Sequence, residues 1–242
     1  MGAMLPLDRQ EAYRRRYAVL RPGWRSSGMR LEALVRAVAG PDVGVLDIGS
    51  GRGGVLELIG SEVRLAVGVD PDLASLRERR APIPAAQAWG DRLPLKDSTF
   101  DVALAIWVLE HLADPSALFA DVSRVLRPGG RLIFLTPNRR HPLILANRLS
   151  HWMPRLQRKL IPAIYGRAAE DTFSVWYRAN AADDLARLTT AAGLTLDRLD
   201  VIADPTYLAF NDVAFFISRW LEACLPQQWG VHLLGVARKP IA

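Results

Sequence analysis

Three aspartates, Asp47, Asp70 and Asp91, stand at or just beyond the ends of three successive apolar segments of the 242-residue chain. Asp47 precedes the glycine cluster Gly49-Ser-Gly-Arg-Gly-Gly54 by two residues. A carboxylate at this point would repel a phosphate, whose usual partners are backbone N–H groups and helix N-termini. The loop is therefore expected to favour a ligand that carries positive charge, such as a sulfonium or an α-amino group.

The same loop also fits the G-x-G-x-x-G pattern of dinucleotide sites, in which an acidic residue about 20 positions further on binds a ribose. Asp70 stands at that distance and could accept hydrogen bonds from both ribose hydroxyls. Asp91 is suited to accepting a hydrogen bond from an adenine amino group. Each aspartate alone could instead cap a helix or form a turn, but three at successive strand ends are much harder to ascribe to chance.

The elements that must position these residues alternate between strands and helices, which predicts an open, doubly wound α/β sheet. Short apolar runs typical of buried parallel strands cover Val43–Ile48, Leu65–Val69, Ala85–Trp89, Asp101–Ile106, Arg131–Leu135, Leu194–Ile202 and Val231–Ala237. Helices are predicted over Gly54–Ser61, Leu73–Arg80, Pro115–Leu126, Asn180–Ala192 and Tyr207–Leu225. The long stretch between Leu135 and Asn180 predicts a helical insertion, because structureless loops of that length are uncommon.

Six motifs occur in order: Val45-Leu-Asp-Ile-Gly-Ser-Gly-Arg-Gly-Gly54, Gly68-Val-Asp-Pro71, Gly90-Asp-Arg-Leu-Pro-Leu95, Phe100-Asp-Val102, Leu109-Glu-His-Leu112 and Arg124-Val-Leu-Arg-Pro-Gly-Gly130. Together they resemble the class I S-adenosylmethionine-dependent methyltransferases, and most closely the small-molecule group that includes quinone-biosynthesis enzymes. The resemblance is strong from Val43 to Pro137 and weak beyond. It implies a Rossmann-like seven-stranded sheet whose last strand is antiparallel, S-adenosylmethionine as cofactor, and no metal.

By position, the resemblance implies cofactor-binding residues at the carboxyl ends of the strands. The methionine end would contact Asp47, Gly49, Ser50 and Gly51, and the nucleoside would contact Asp70, Pro71, Gly90, Asp91 and Arg92. Trp107, which follows the fourth strand, would close over the cofactor near the reacting methyl group. The alternative for Trp107 is a large aromatic side chain packed in the core.

His111 is the first candidate for a general base, because it follows the fourth strand and a neutral imidazole could deprotonate an acidic phenol or enol. Its alternative role is to hold the loop together with Glu110. Positioning is expected to contribute more to methyl transfer than a base does. Candidate acceptor-binding residues are Tyr17, His141, Tyr177 and Tyr207.

The predicted organisation is a single methyltransferase domain over 1–242. It comprises an N-terminal helical lid segment (4–40), a cofactor-binding core (41–137), a helical insertion that acts as a lid (138–179) and a C-terminal part with an aromatic helix (180–242). Such a lid predicts a bulky lipophilic or aromatic acceptor, methylated on oxygen or carbon. The acceptor could carry an anionic group that meets the arginines.

Basic residues are concentrated in two segments, although the whole chain has a net charge of only +6. The segment from Arg9 to Arg36 contains eight arginines and two glutamates. The segment from Val122 to Ala169 contains ten Lys/Arg and no Asp or Glu. This partition predicts a positive rim on an otherwise acidic body. Solvated helix faces that happen to be rich in arginine are the alternative explanation.

Several other functions remain open. The basic insertion could dock on an anionic membrane surface, and the aromatic helix could form a homodimer interface in place of a monomer. An RNA methyltransferase or RNA-binding protein is disfavoured because no stacking-aromatic pattern is visible; an inactive cofactor-binding subunit is a third class. With no apolar run of ~18–20 residues and a single cysteine, Cys224, a cytoplasmic protein is expected, which could be peripheral to the membrane.

Overall fold

The computed structural model describes residues 7–80, 82–90, 92–150, 174–209 and 211–241. The strands are β1 Gly44–Ile48, β2 Leu65–Asp70, β3 Ala85–Gln87, β4 Phe100–Ile106, β5 Leu126–Pro137, β6 Thr195–Ile202 and β7 His232–Arg238. The helices are α1 Leu7–Leu20, α2 Ser27–Val38, α3 Leu56–Ile59, α4 Leu73–Arg77, α5 Pro115–Val125, α6 Pro142–Ser150, α7 Ala182–Ala191 and α8 Asp212–Cys224. Short 3₁₀ turns cover Leu109–His111, Pro205–Leu208 and Gln227–Trp229.

The seven strands form one sheet in the order β3-β2-β1-β4-β5-β7-β6. The pairs β1–β2, β1–β4, β2–β3 and β4–β5 are parallel. The last strand, β7, is antiparallel to β5. The Gly129 N–H donates a hydrogen bond to the Lys239 carbonyl, and the Asn138 N–H donates one to the Val231 carbonyl, so the two strands run in opposite directions. The predicted α/β fold with an antiparallel last strand is therefore confirmed.

The chain divides into two compact units, each built from three stretches. The sheet unit comprises 28–137, 175–200 and 233–242, and the helical unit comprises 1–27, 138–174 and 201–232. Most of the predicted insertion, residues 151–173, lies outside the described residues. The lid assignments for 4–40 and 138–179, and the boundaries proposed with them, stay predictions.

The single helix predicted over Tyr207–Leu225 is wrong, because two separate elements replace it. Asp204 accepts a hydrogen bond from the Thr206 N–H and starts the 3₁₀ turn, and Asn211 accepts one from the Ala214 N–H at 2.8 Å and starts α8. Side chains of this kind cap helix N-termini and so begin a new element instead of continuing one. Phe210 lies outside the described residues.

The strand predicted over Arg131–Leu135 is longer than expected, since β5 begins at Leu126, immediately after α5. The predicted helix ends at Leu126 and the predicted strand begins at Arg131, which would leave the residues from Arg127 to Gly130 as a connection. Gly129 adopts a φ of 80°, and the pairing of β4 with β5 shifts register between Phe100 and Val102. The strand therefore continues through the glycines with a shift in the register of its pairing to β4. The periodicity of apolar residues does not predict such a shift.

Gly235 in β7 leaves space that the buried ring of Phe134 in β5 occupies; a Cβ on Gly235 would overlap that ring. We expect Gly235→Ala to lower the free energy of unfolding by about 1–3 kcal/mol, the usual cost of overpacking a core. Urea denaturation measures the change. Gly28→Ala is the matched control, because a Cβ there meets nothing within 4 Å. Equal stabilities for the two variants would contradict this account of the packing.

Candidate functional site

The glycine loop between β1 and α3 is fixed to the end of the neighbouring strand. The N–H groups of Gly49 and Ser50 donate to the Val69 carbonyl of β2, at 2.8 and 3.1 Å. Gly49 has a φ of 72°, and a Cβ there would overlap the side chain of Val108. Glycine is thus required at this position both for the backbone conformation and for the close approach of the loop after β4.

Asp70, the last residue of β2, is buried and organises the loop with both of its oxygens. Its Oδ2 accepts a hydrogen bond from the Gly51 N–H at 2.8 Å, and its Oδ1 accepts one from the Asp72 N–H at 2.8 Å. Each carboxylate oxygen can accept a second hydrogen bond. Asp70 can therefore hold the glycine loop in place and still accept hydrogen bonds from a pair of hydroxyls.

Asp47 is buried near the end of β1, where a negative charge is energetically unfavourable. Burial, with a smaller contribution from the charge of Asp70, raises the pKa of the Asp47 carboxyl to about 8. A cationic group beside the carboxylate would offset both effects. The burial of Asp47 therefore fits a positively charged ligand group and not a phosphate.

The loop also offers open backbone and a spare polar group. A Cβ on Gly51 would meet only Asp70 Oδ2, at 4.0 Å, so this side of the loop is open. Ser50 Oγ is buried without a hydrogen-bond partner among the residues that the structure describes. The open backbone at Gly51, the buried Ser50 hydroxyl and two buried carboxylates, which accept hydrogen bonds, together fit a cationic nucleoside.

The third predicted position is described only in part, since Asp91 lies outside the described residues. Gln87 Nε2 donates to the Pro71 carbonyl at 3.0 Å, so the end of β3 lies beside the residue that follows Asp70. Gly90 is packed closely, because a Cβ there would approach Leu118 to 3.0 Å. Arg92 is exposed. The structure thus brings Pro71 to the end of β3, and leaves the roles of Gly90, Asp91 and Arg92 as predictions.

Trp107, which directly follows β4, is strained and partly exposed. Its φ is 58°, its N–H donates to the Leu135 carbonyl, and 40% of the residue surface is exposed. Positive φ is uncommon for residues other than glycine, and such strain clusters at ligand-binding sites. A core aromatic would be buried, so the exposure argues against the packing alternative, and the role of Trp107 beside the cofactor stays a prediction.

Glu110, which sequence reasoning did not select as a site residue, is at the centre of a buried hydrogen-bond network. Its Oε2 accepts from Thr136 Oγ1 at 3.1 Å, and Asn180 Nδ2 donates to the same hydroxyl at 2.6 Å. The Glu110 carbonyl accepts the N–H groups of Trp176 and Tyr177. Burial raises the pKa of Glu110 to about 7. This network fixes the loop after β4 to the segment that precedes α7.

His111 lies at the edge of this network. Its Nε2 is 4.0 Å from Glu110 Oε1, and a third of its side chain is exposed. Tyr177, a predicted acceptor-binding residue, is buried in the same unit with a φ of 51°. His111 is part of the loop after β4, and Tyr177 is bound to the same loop through its hydrogen bond to the Glu110 carbonyl.

The other three predicted acceptor-binding residues belong to the helical unit. Tyr17 is buried and stacks edge-on to Trp24, with ring centroids 4.8 Å apart. His141 Nε2 lies 3.2 Å from Glu222 Oε1. The Tyr207 ring lies 5.5 Å from that of His232. These contacts fix each side chain within its own unit, and the acceptor-binding role of all three stays a prediction.

Comparison with known proteins gives consistent matches. A family model described as a methyltransferase domain matches residues 46–134. A demethylmenaquinone methyltransferase from Roseiflexus sp. is 30% identical over 187 residues, which cover 70% of this chain and 73% of that protein. A Mycolicibacterium smegmatis protein named "Probable S-adenosylmethionine-dependent methyltransferase" is 37% identical over 111 residues, 45% of this chain. That match spans only 42% of the M. smegmatis relative.

A solved structure extends the likeness beyond the matched core. The [4+2]-cyclase SpnF superposes with a TM-score of 0.58 at 17% identity, covering 92% of this chain and 85% of that one. At this level of identity the likeness shows the fold alone. A fold shared with a cyclase does not determine the reaction, so the function has to be argued from the site.

Proposed function

Because the chain belongs to the family of S-adenosylmethionine-dependent methyltransferases, we propose that it methylates an oxygen or carbon of a bulky lipophilic or aromatic small molecule. The observation that carries the cofactor part of the proposal is the pair of buried carboxylates, Asp47 and Asp70, beside the open backbone at Gly51. When bound, S-adenosylmethionine supplies a methyl group that its sulfonium already activates. The protein then has to bind the cofactor and the acceptor, orient them relative to each other, and shield them from water.

The proposed roles follow from the geometry of each residue. The Asp47 carboxylate balances the positive charge of the ligand, and Asp70 accepts from the ribose while it holds Gly51. Trp107, which is partly exposed after β4, covers the reacting group and excludes water. The remaining proposed contacts are Gly49 and Ser50 at the methionine end, and Pro71, Gly90, Asp91 and Arg92 around the adenine.

One observation supports a lipophilic acceptor, and a second supports an anionic group on that acceptor. The Roseiflexus relative is named for a demethylmenaquinone acceptor, and this chain covers 73% of it. The helical unit carries fourteen Lys/Arg and seven Asp/Glu, a formal charge of +7. A positive unit of this kind favours an acceptor that carries an anionic group. The quinol class is therefore the first to test.

The test has a binding arm and a turnover arm. Calorimetry is expected to show binding of S-adenosylhomocysteine and none of NAD. Transfer of a radiolabelled methyl group is then measured with lipophilic quinols and phenols, with small hydrophilic phenols, and with RNA. Label in the lipophilic set alone supports the proposal. Binding of NAD with no binding of S-adenosylhomocysteine would overturn the proposal. Transfer of the labelled methyl group to RNA would favour the nucleic-acid alternative.

His111→Ala tests whether His111 acts as a base. A positioned base contributes about 10²–10⁴-fold, so we expect kcat to fall by roughly 10²-fold with turnover still detectable. Affinity for S-adenosylhomocysteine is expected to stay the same, because the role proposed for the imidazole is a contact with the acceptor and not with the cofactor. An unchanged kcat would remove His111 from the mechanism and leave it with the role of supporting the loop.

A further inference from the structure

Helix α8 carries a row of large apolar side chains that face outwards. Phe216 and Trp220 are 68% and 63% exposed, and the other exposed members of the row are Val213, Ile217 and Leu221. Their spacing of three and four residues places all five on one side of the helix. We call this surface the outer face of α8. Clusters of exposed apolar side chains of this size usually mark interaction sites.

The opposite side of α8 already supplies the contacts that the helical unit needs. Phe215 and Ser218 are buried. The Phe215 ring packs against Tyr13 and Tyr17 of α1, at centroid distances of 5.1 and 6.4 Å. Packing within the helical unit therefore accounts for the inner face and leaves the outer face unexplained.

The charges on and around α8 favour an anionic partner. Its two carboxylates are both paired: Asp212 lies 2.5 Å from Arg16 of α1, and Glu222 lies 3.2 Å from His141. Arg15 on α1 is exposed. The helical unit has a formal charge of +7, whereas seventeen Lys/Arg and eighteen Asp/Glu give the sheet unit −1. The outer face thus belongs to the unit that carries the positive charge of the chain.

We propose that the outer face of α8 docks the helical unit on an anionic lipid bilayer. Tryptophan and phenylalanine are favoured at the boundary between headgroups and acyl chains, and a positive surface adds attraction to anionic lipids. A second copy of the chain is a poorer partner, because pairing two such faces would bring together two units of +7. None of the described helices is long and apolar enough to cross a bilayer.

Cys224 provides a direct probe of this face. It is the single cysteine of the chain, it is exposed, and it follows Trp220 by four residues and Ile217 by seven, on the same side of α8. The experiment attaches an environment-sensitive fluorophore to Cys224 and titrates phosphatidylcholine vesicles with and without phosphatidylglycerol. We expect a blue shift with the anionic vesicles alone, reversed by added salt.

Charge-matched variants make the test specific. Trp220→Glu is expected to weaken sedimentation with anionic vesicles by about tenfold or more, since it places a carboxylate in the buried part of the contact. Ile241→Glu is the control, because Ile241 is also an exposed apolar residue, lies in the sheet unit, and gives the same change in net charge. Unaltered binding of S-adenosylhomocysteine by both variants separates this test from that of the proposed methyl transfer.

Three results would overturn the proposal. The first is equal vesicle binding by Trp220→Glu and Ile241→Glu. The second is equal binding to vesicles with and without phosphatidylglycerol. The third is a blue shift that develops without vesicles as the protein concentration rises, accompanied by a dimer in light scattering, which would assign the face to a second copy.

Discussion

Replacing Asp70 by alanine is expected to weaken binding of S-adenosylhomocysteine by about 10²-fold or more, since each hydrogen bond to a charged group contributes about 1.5–3 kcal/mol. The substitution removes the proposed contacts to the two ribose hydroxyls. It also releases the Gly51 N–H, which Asp70 Oδ2 holds at 2.8 Å. Isothermal calorimetry measures the affinity, and circular dichroism checks that the variant is folded.

Asp72→Ala is the matched control for this measurement. Asp72 is also a carboxylate, two residues further on, but its oxygens accept from the N–H groups of Ala74 and Ser75 and cap α4. We expect the control to weaken the start of α4 and to leave the affinity for S-adenosylhomocysteine unchanged. If Asp70→Ala bound as tightly as the parent protein, the ribose would have to be placed elsewhere.

Asp47→Asn is expected to stabilise the ligand-free protein at alkaline pH while it weakens binding of S-adenosylmethionine. Burial raises the pKa of the Asp47 carboxyl to about 8. The stability that the protonated carboxyl contributes is therefore fully present below its unfolded pKa near 3.8, and is lost as the pH rises through about 8. The amide stays neutral, so the variant should be more stable above pH 8 by on the order of 2–5 kcal/mol.

The pH dependence of binding provides the second readout for Asp47. A cationic ligand binds the ionised carboxylate, so the affinity of the parent protein for S-adenosylmethionine should rise between about pH 6 and pH 8, by at most about tenfold per unit. Calorimetry in two buffers of different ionisation enthalpy should then detect a released proton at pH 7. Asp47→Asn should lose this pH dependence. Binding that is independent of pH in the parent protein would contradict the assignment.

Local patterns predicted the core of the sheet well. The predicted bounds of β1, β2 and β4 differ from the observed ones by a single residue, because strands buried on both faces are continuous apolar runs. The prediction of one helix over Tyr207–Leu225 is wrong for an equally local reason: the side chains of Asp204 and Asn211 each cap the start of a separate element. Apolar content alone does not locate a helix start.

The parts of the candidate site that could be predicted are those built from residues close together in the sequence. The glycine loop and Asp70 are joined by contacts within about one strand–helix–strand unit, which the spacing of the sequence expresses. The network of Glu110, Thr136 and Asn180 joins positions 26 and 44 residues apart. No residue type in that network is unusual for its own element, so a single sequence contains no signal that pairs them.

The division of the chain into interleaved stretches has a consequence for biosynthesis. The helical unit needs residues from 1–27, 138–174 and 201–232, so its last contributing stretch leaves the ribosome only after most of the sheet unit has been made. Until then Tyr13 and Tyr17 of the first stretch lack Phe215, the aromatic partner they have in the finished protein. The nascent chain must keep these rings from aggregating for most of its synthesis, and neither unit can be excised as a continuous fragment.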